Sequence, residues 1–187
     1  KDVLFGLFRR WIAPERLHAN MTVTAFECVS YVTTALAGNQ VDWVAQFLEK
    51  YRHRIKGAQA SEAYYLFGRA LLLFHRDKFE EALDVVLRLN FQEMQYKYMS
   101  KTLEIKLFYE TGSDLLESKL NNLNVALSRE NRMPPEKIKR YTQFVHFTQR
   151  IDRWRHHPDS DLKWLDKIAE DIKNAQNTVE FNWLTKK

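Results

Sequence analysis

Apolar residues recur at intervals of three and four along nearly the whole of this 187-residue chain, and short polar turns cut the runs apart. That is the period of an α-helix, not of a strand. From about Thr22 the set Val23, Phe26, Val29, Tyr31, Val32 and Leu36 predicts a helix that stops at Ala37-Gly38-Asn39, where glycine can take the left-handed conformation that closes a helix. Val41, Val44, Phe47, Leu48 and Tyr51 predict a second helix, which runs into the charged stretch Lys50 to Lys56 and ends at Gly57. So few residues join the two that they are expected to pair as an antiparallel hairpin.

The same grammar repeats. Ser61 is placed to cap a helix through Tyr64, Tyr65, Phe67, Leu71, Leu72, Leu73 and Phe74, which is apolar nearly all round and is therefore expected to lie between neighbours. His75-Arg76-Asp77 links it to a partner lined by Phe79, Ala82, Leu83, Val86, Leu87 and Leu89. In that partner Asp77, Glu80 and Glu81 read as the acidic first turn.

A third pair starts near Glu93 and breaks at Thr111-Gly112-Ser113. Its second helix carries Leu115, Leu116, Leu120, Leu123 and Leu127, with Asp114 and Glu117 spaced as a capping box. A fourth starts at Pro134-Pro135, where a proline in the first turn costs little. Its face is Ile138, Tyr141, Phe144, Val145, Phe147, Ile151 and Trp154, and the return helix follows with Leu162, Trp164, Leu165, Ile168 and Ile172. The turns at Ala37-Gly38, Arg76-Asp77 and Gly112-Ser113 fall about 36 to 39 residues apart, close to the period of two-helix solenoid units. No strand pattern competes. The expected fold is all-α, an α-α superhelix of about four antiparallel helix pairs over residues 20–175, stacked right-handed with one concave surface, and with a capping helix starting in 178–187.

Composition agrees with helices: Gly at 5 and Pro at 4 leave few breakers, and 45% apolar residues can fill a core. The length sets one domain as the expectation. The single cysteine, Cys28, excludes an intrachain disulfide framework and lies on an apolar helix face, so it reads as core rather than as a reactive thiol. That usage fits a reducing compartment, and a cytoplasmic location is expected. The longest apolar run is too short to span a bilayer, so no membrane partner is expected. Near the start, VLFGLF lacks a preceding basic region and is followed by Arg9, Arg10 and Trp11, unlike a signal peptide. The chain begins at Lys1 and not Met, so a piece of a longer polypeptide is expected, with residues 1–15 the remnant of an amphipathic helix.

Within residues 63–89, Ala70 and Ala82 lie twelve apart, Leu66 stands four before the first and Phe79 three before the second. This resembles the tetratricopeptide repeat, with Leu66 where that repeat often has Trp and no proline closing the unit near Asn90. Across residues 20–187 the order of YYLFGRALLLFHRDKFEEAL, KTLEIKLFYETGSDLLESKL, Tyr141-Thr142-Gln143-Phe144 and Asn182-Trp183-Leu184 is similar to a family of bacterial tetratricopeptide-like proteins of unassigned function. The resemblance implies a helical-repeat fold and a scaffold role, with no active site to carry over.

Chemistry would need more than the residues offer. His75, Asp77 and Glu81 straddle a turn without a supporting His pair. His156-His157-Pro158-Asp159 is more metal-like but reads as an interhelical loop. Ser61, Ser113 and Ser160 stand where caps belong, and the glycines are scattered singly, so neither a nucleophile nor a phosphate loop is indicated. The expectation is no enzyme, no metal and no cofactor.

Two binding classes are left. In tetratricopeptide arrays the first helix of each hairpin lines the concave face. The resemblance therefore implies a groove for a protein or peptide partner at Tyr64, Phe67, Leu71, Phe74 and His75, although each could equally serve only to pack on the next hairpin. The alternative is nucleic acid or another polyanion. A net charge of +5 permits it, through Arg52, Arg54 and Lys56 or through Arg150, Arg153 and Arg155 around Trp154. Against it, such clusters at helix C-termini also offset the helix dipole.

Overall fold

The computed structural model describes residues 22–56, 61–157 and 162–187. Among these residues the chain is all-α, with nine helices and one pair of two-residue strands. No described helix is long and apolar enough to cross a membrane. The expected helix over residues 1–15 lies outside the described residues, as do Gly57, Pro158, Asp159 and Ser160. The chain divides into two compact units, Lys1–Thr111 and Gly112–Lys187.

The first unit contains β1 (Val23–Thr24), α1 (Ala25–Ala37), α2 (Val41–Tyr51), β2 (Ile55–Lys56), α3 (Ser61–His75), α4 (Phe79–Val86) and α5 (Met94–Glu110). A capping box starts α1. Glu27 N–H donates to Thr24 Oγ1 at 3.2 Å, and Thr24 N–H donates back to Glu27 Oε2 at 2.8 Å. Phe26, expected on the inner face, is 63% exposed. The helix closes on Asn39 at φ +57°, while Gly38 sits at φ −91°; the asparagine, not the glycine, takes the left-handed position. Asp77 does the same after α3, at φ +56°, so it belongs to the turn and not to the first turn of α4.

The expected run of α2 to Gly57 is corrected. The helix ends at Tyr51, and Ile55–Lys56 pairs in parallel with Val23–Thr24, Val23 N–H donating to the Arg54 carbonyl at 3.0 Å. This buries Val23 and Ile55 and takes the crowded cations at Lys50 to Arg54 out of one helix, where like charges a turn apart repel. It also overturns the expectation of no strands.

Helix α3 is the centre of the unit and packs on α1, α2, α4 and α5. Its apolar circumference requires neighbours on every side, and Gly68 lets two of them close in. A Cβ at Gly68 would meet Leu48 Cδ2 of α2 at 2.9 Å and Val32 Cγ2 of α1 at 3.4 Å. Ala70 and Ala82, the small residues of the repeat-like pattern, are fully buried in α3 and α4. On α2, Trp43, Phe47 and Tyr51 stack in series at 5.1 and 5.0 Å, and Tyr31 of α1 meets Phe47 edge-on at 5.8 Å. Helix α4 stops at Val86, so Leu87 turns outward at 53% exposure instead of extending the inner face. Helix α5 opens after Glu93, as expected.

The second unit contains α6 (Leu116–Ser128), α7 (Pro135–His156), α8 (Leu162–Asn174) and α9 (Phe181–Leu184). The turn before it uses Gly112 at φ +65°, a conformation glycine adopts without strain. The two helices of the expected third pair, α5 and α6, thus fall in different units. The Asp114/Glu117 capping box does not form. Leu115 is the cap position and 56% exposed, and its N–H donates to Ser113 Oγ at 3.3 Å.

Pro135 occupies the first turn of α7, as expected. Leu120, Leu123 and Leu127 of α6, Phe144, Val145 and Ile151 of α7, and Ile168 and Ile172 of α8 are buried, whereas Leu162 is 73% exposed. The last segment straps onto α7. Arg140 Nε donates to the Asn177 carbonyl, and Trp183 lies 6.0 Å from Phe144.

Two outcomes are expected. Gly68→Leu should lose about 1–3 kcal/mol of stability in urea titration through overpacking; an unchanged midpoint would contradict the close approach of α3. Burial pushes the Cys28 thiol up to about 12, so iodoacetamide at pH 8 should modify it only as the chain opens. Rapid modification of the native chain would contradict its placement.

Candidate functional site

The five residues of the expected groove separate along α3. Tyr64 and Phe67 are each 1% exposed. The Tyr64 ring packs 5.1 Å from Phe91 and 4.8 Å from Tyr96, and Phe67 lies 5.7 Å from Phe91. Burial and a hydrogen bond to the Glu93 carboxylate push the Tyr64 hydroxyl well above its usual range, so it stays protonated. Both rings are filled by intrachain packing.

Leu71 and Phe74 are half-buried and His75 is exposed, one turn further along. His75 Nδ1 donates to the Leu71 carbonyl at 3.0 Å, which orients the ring. Phe74 lies 5.5 Å from Phe79 and 6.2 Å from His75, and Lys106 Nζ stands 4.3 Å from its ring centroid. The C-terminal end of α3 therefore presents an aromatic surface with a cation held beneath it.

The basic residues do not form one surface of like geometry. Arg52 stacks over Tyr65 at 5.3 Å, Arg54 is half-buried, and Lys56 is exposed in β2. Arg150 is committed to Asp171 by an ion pair of 2.6 Å with its side chain only 15% exposed, which ties α7 to α8. Arg153 and Arg155 sit with His156 in the last turn of α7, where cations complement the helix dipole. Burial and the Arg150 charge push His146 below its ordinary value.

Sequence reasoning missed a cleft in the second unit. It has a volume of about 290 Å³ and lies between the start of α6 and the end of α7. Asp114 and Glu117 face it from one side, and Gln149, Asp152, Arg153 and His156 from the other. The α7 residues follow the i, i+3, i+4, i+7 spacing of one helix face, a row readable in sequence, but nothing in the sequence sets α6 opposite it. Leu116 and Leu120, both buried, form part of its lining.

His156 Nδ1 approaches the Asp152 carbonyl at 2.9 Å and Asp152 Oδ1 at 3.5 Å. Burial holds the Asp152 carboxyl above its ordinary value; His156 and Arg155 work against this and Glu117 adds to it. No three metal-ligating side chains converge among the described residues.

Comparison with known proteins returns nothing to set beside this geometry: no family model matches the chain, and no curated protein or solved structure does.

The cleft makes a signed expectation. In an NMR titration Asp152 should titrate above 3.8. Glu117→Gln should bring the midpoint down, and His156→Ala should raise it further. A midpoint indifferent to both would contradict the arrangement.

Proposed function

We propose that this chain is a non-enzymatic protein-interaction scaffold, a tetratricopeptide-like superhelix of helix hairpins that takes a segment of a partner protein on the surface at the end of α3. The observation that carries this reading is Phe74. Its ring is half-buried against Phe79 and braced by Lys106, next to exposed His75 and half-buried Leu71, while the Phe67 and Tyr64 rings, about two and three turns earlier, are packed away. An aromatic anchor fixed from behind and partly exposed loses little conformational freedom on binding, a usual property of residues that dominate interfaces.

The repeat architecture is supported by the α3–α4 hairpin, in which Ala70 and Ala82 are fully buried and α3 lies between neighbours as a solenoid helix does. The polyanion reading has less support, since Arg150 is already neutralised by Asp171. The single cysteine suits a reducing compartment, and the cytoplasm is the location this reading carries.

The test is peptide selection on the intact chain from a displayed library. Selected sequences should carry an apolar anchor. Their affinity should fall about tenfold or more with Phe74→Ala and by a smaller factor with His75→Ala, the helical spectrum being retained. Peptides that bind the Phe74→Ala chain undiminished would overturn this surface.

A further inference from the structure

The cleft of the second unit has a chemistry that an aromatic docking surface does not use. At about 290 Å³ it stands near the lower end of small-molecule and side-chain sites, which begin at roughly 300 Å³, and it is far larger than the ~30 Å³ share of one water. A bare metal ion is not what this lining suits, because its carboxylates and histidines do not converge as a ligand set.

Its electrostatics run against those of the chain. Among the lining side chains three carboxylates, Asp114, Glu117 and Asp152, stand against one guanidinium, that of Arg153, a balance of two negative charges when the histidines are neutral; Arg155, outside the lining, offsets part of this at Asp152, and the whole chain carries +5. A concavity with apolar walls focuses such a field, so the local sign governs what enters. The Asp152 and Glu117 carboxylates also repel each other across the cleft, and burial disfavours the charge on Asp152; a cation seated between them relieves both. Arg153 and His157 are exposed at the rim. His156 contacts Asp152 from the same helix and competes for it only when protonated.

We propose that this cleft is a pocket for the guanidinium of an arginine side chain on a partner polypeptide, the head lying between Glu117 and Asp152 and the methylene stem over Leu116 and Leu120. Guanidinium is favoured over ammonium because its planar fork can meet carboxylates on two facing helices at once, while the stem is apolar enough to cover leucine. The pocket belongs to the second unit and does not depend on the surface at Phe74.

The test is a titration of the intact, isotope-labelled chain by NMR with N-acetyl-arginine amide. N-acetyl-citrulline amide serves as the neutral isostere, and putrescine as a free amine. The arginine amide should give saturable shifts at Gln149, Asp152 and His156, and the citrulline amide none. Glu117→Gln should weaken binding about two- to fivefold, as expected for a partly solvated charge pair, and Asp114→Asn should do so independently. Both positions are exposed, so the fold is retained. Equal shifts with citrulline, no saturable shift, or unchanged affinity in both variants would overturn the pocket. Tighter binding of putrescine than of the arginine amide would overturn the assignment to a polypeptide side chain.

Discussion

The close approach of α3 to α1 and α2 at Gly68 is the contact on which the first unit depends. A helix apolar on all sides is stable in water only if every side is covered, and coverage by two neighbours at once requires a position where their side chains can lie against backbone. Gly68 supplies it, with Leu48 and Val32 occupying the space a side chain would need. Buried alanines at Ala70 and Ala82 serve the α3–α4 hairpin without adding bulk. Once α3 is held this way, Tyr64 and Phe67 fill the space toward Phe91 and Tyr96, and of these three rings only Phe74, in the last turn, is left partly exposed.

What the sequence made legible was what local chemistry decides. Pro135 in the first turn of α7, the helix break at Thr111-Gly112-Ser113 and the burial of α3 all follow from properties of those residues and their immediate neighbours. The Thr24-x-x-Glu27 box that starts α1 is equally local, whereas the apolar periodicity alone places that start only at about Thr22. Features that depend on distant pairing were not legible. The end of α2 is decided by Val23, which draws Arg54 and Ile55 out of the helix. The polar cleft requires knowing that Glu117 and Asp152 stand opposite each other, a register set by the packing of α6 on α7. The capping reading of Asp114 and Glu117 failed because Leu115 intervenes as the cap and Ser113 supplies the oxygen.

The two units offer surfaces of different character. In the first, the last turn of α3 carries an aromatic ring supported by a buried cation, and the binding proposed there would draw its affinity from removing apolar area from water. The second holds carboxylates in a cleft on an otherwise cationic chain, and the pocket proposed there would select by sign of charge. In the proposed interaction scaffold, these two different kinds of contact would supply affinity and selectivity.

The proposed binding surface requires that α3 leave Phe74 accessible and seal Phe67. Fluorine NMR of the intact chain carrying 4-fluorophenylalanine, with resonances assigned by single Phe→Leu replacements, measures this directly when a soluble gadolinium chelate is added. The Phe74 resonance should broaden with chelate concentration while that of Phe67 stays sharp. A Phe67 resonance broadened as strongly as that of Phe74 would contradict the packing on which the proposed binding surface rests.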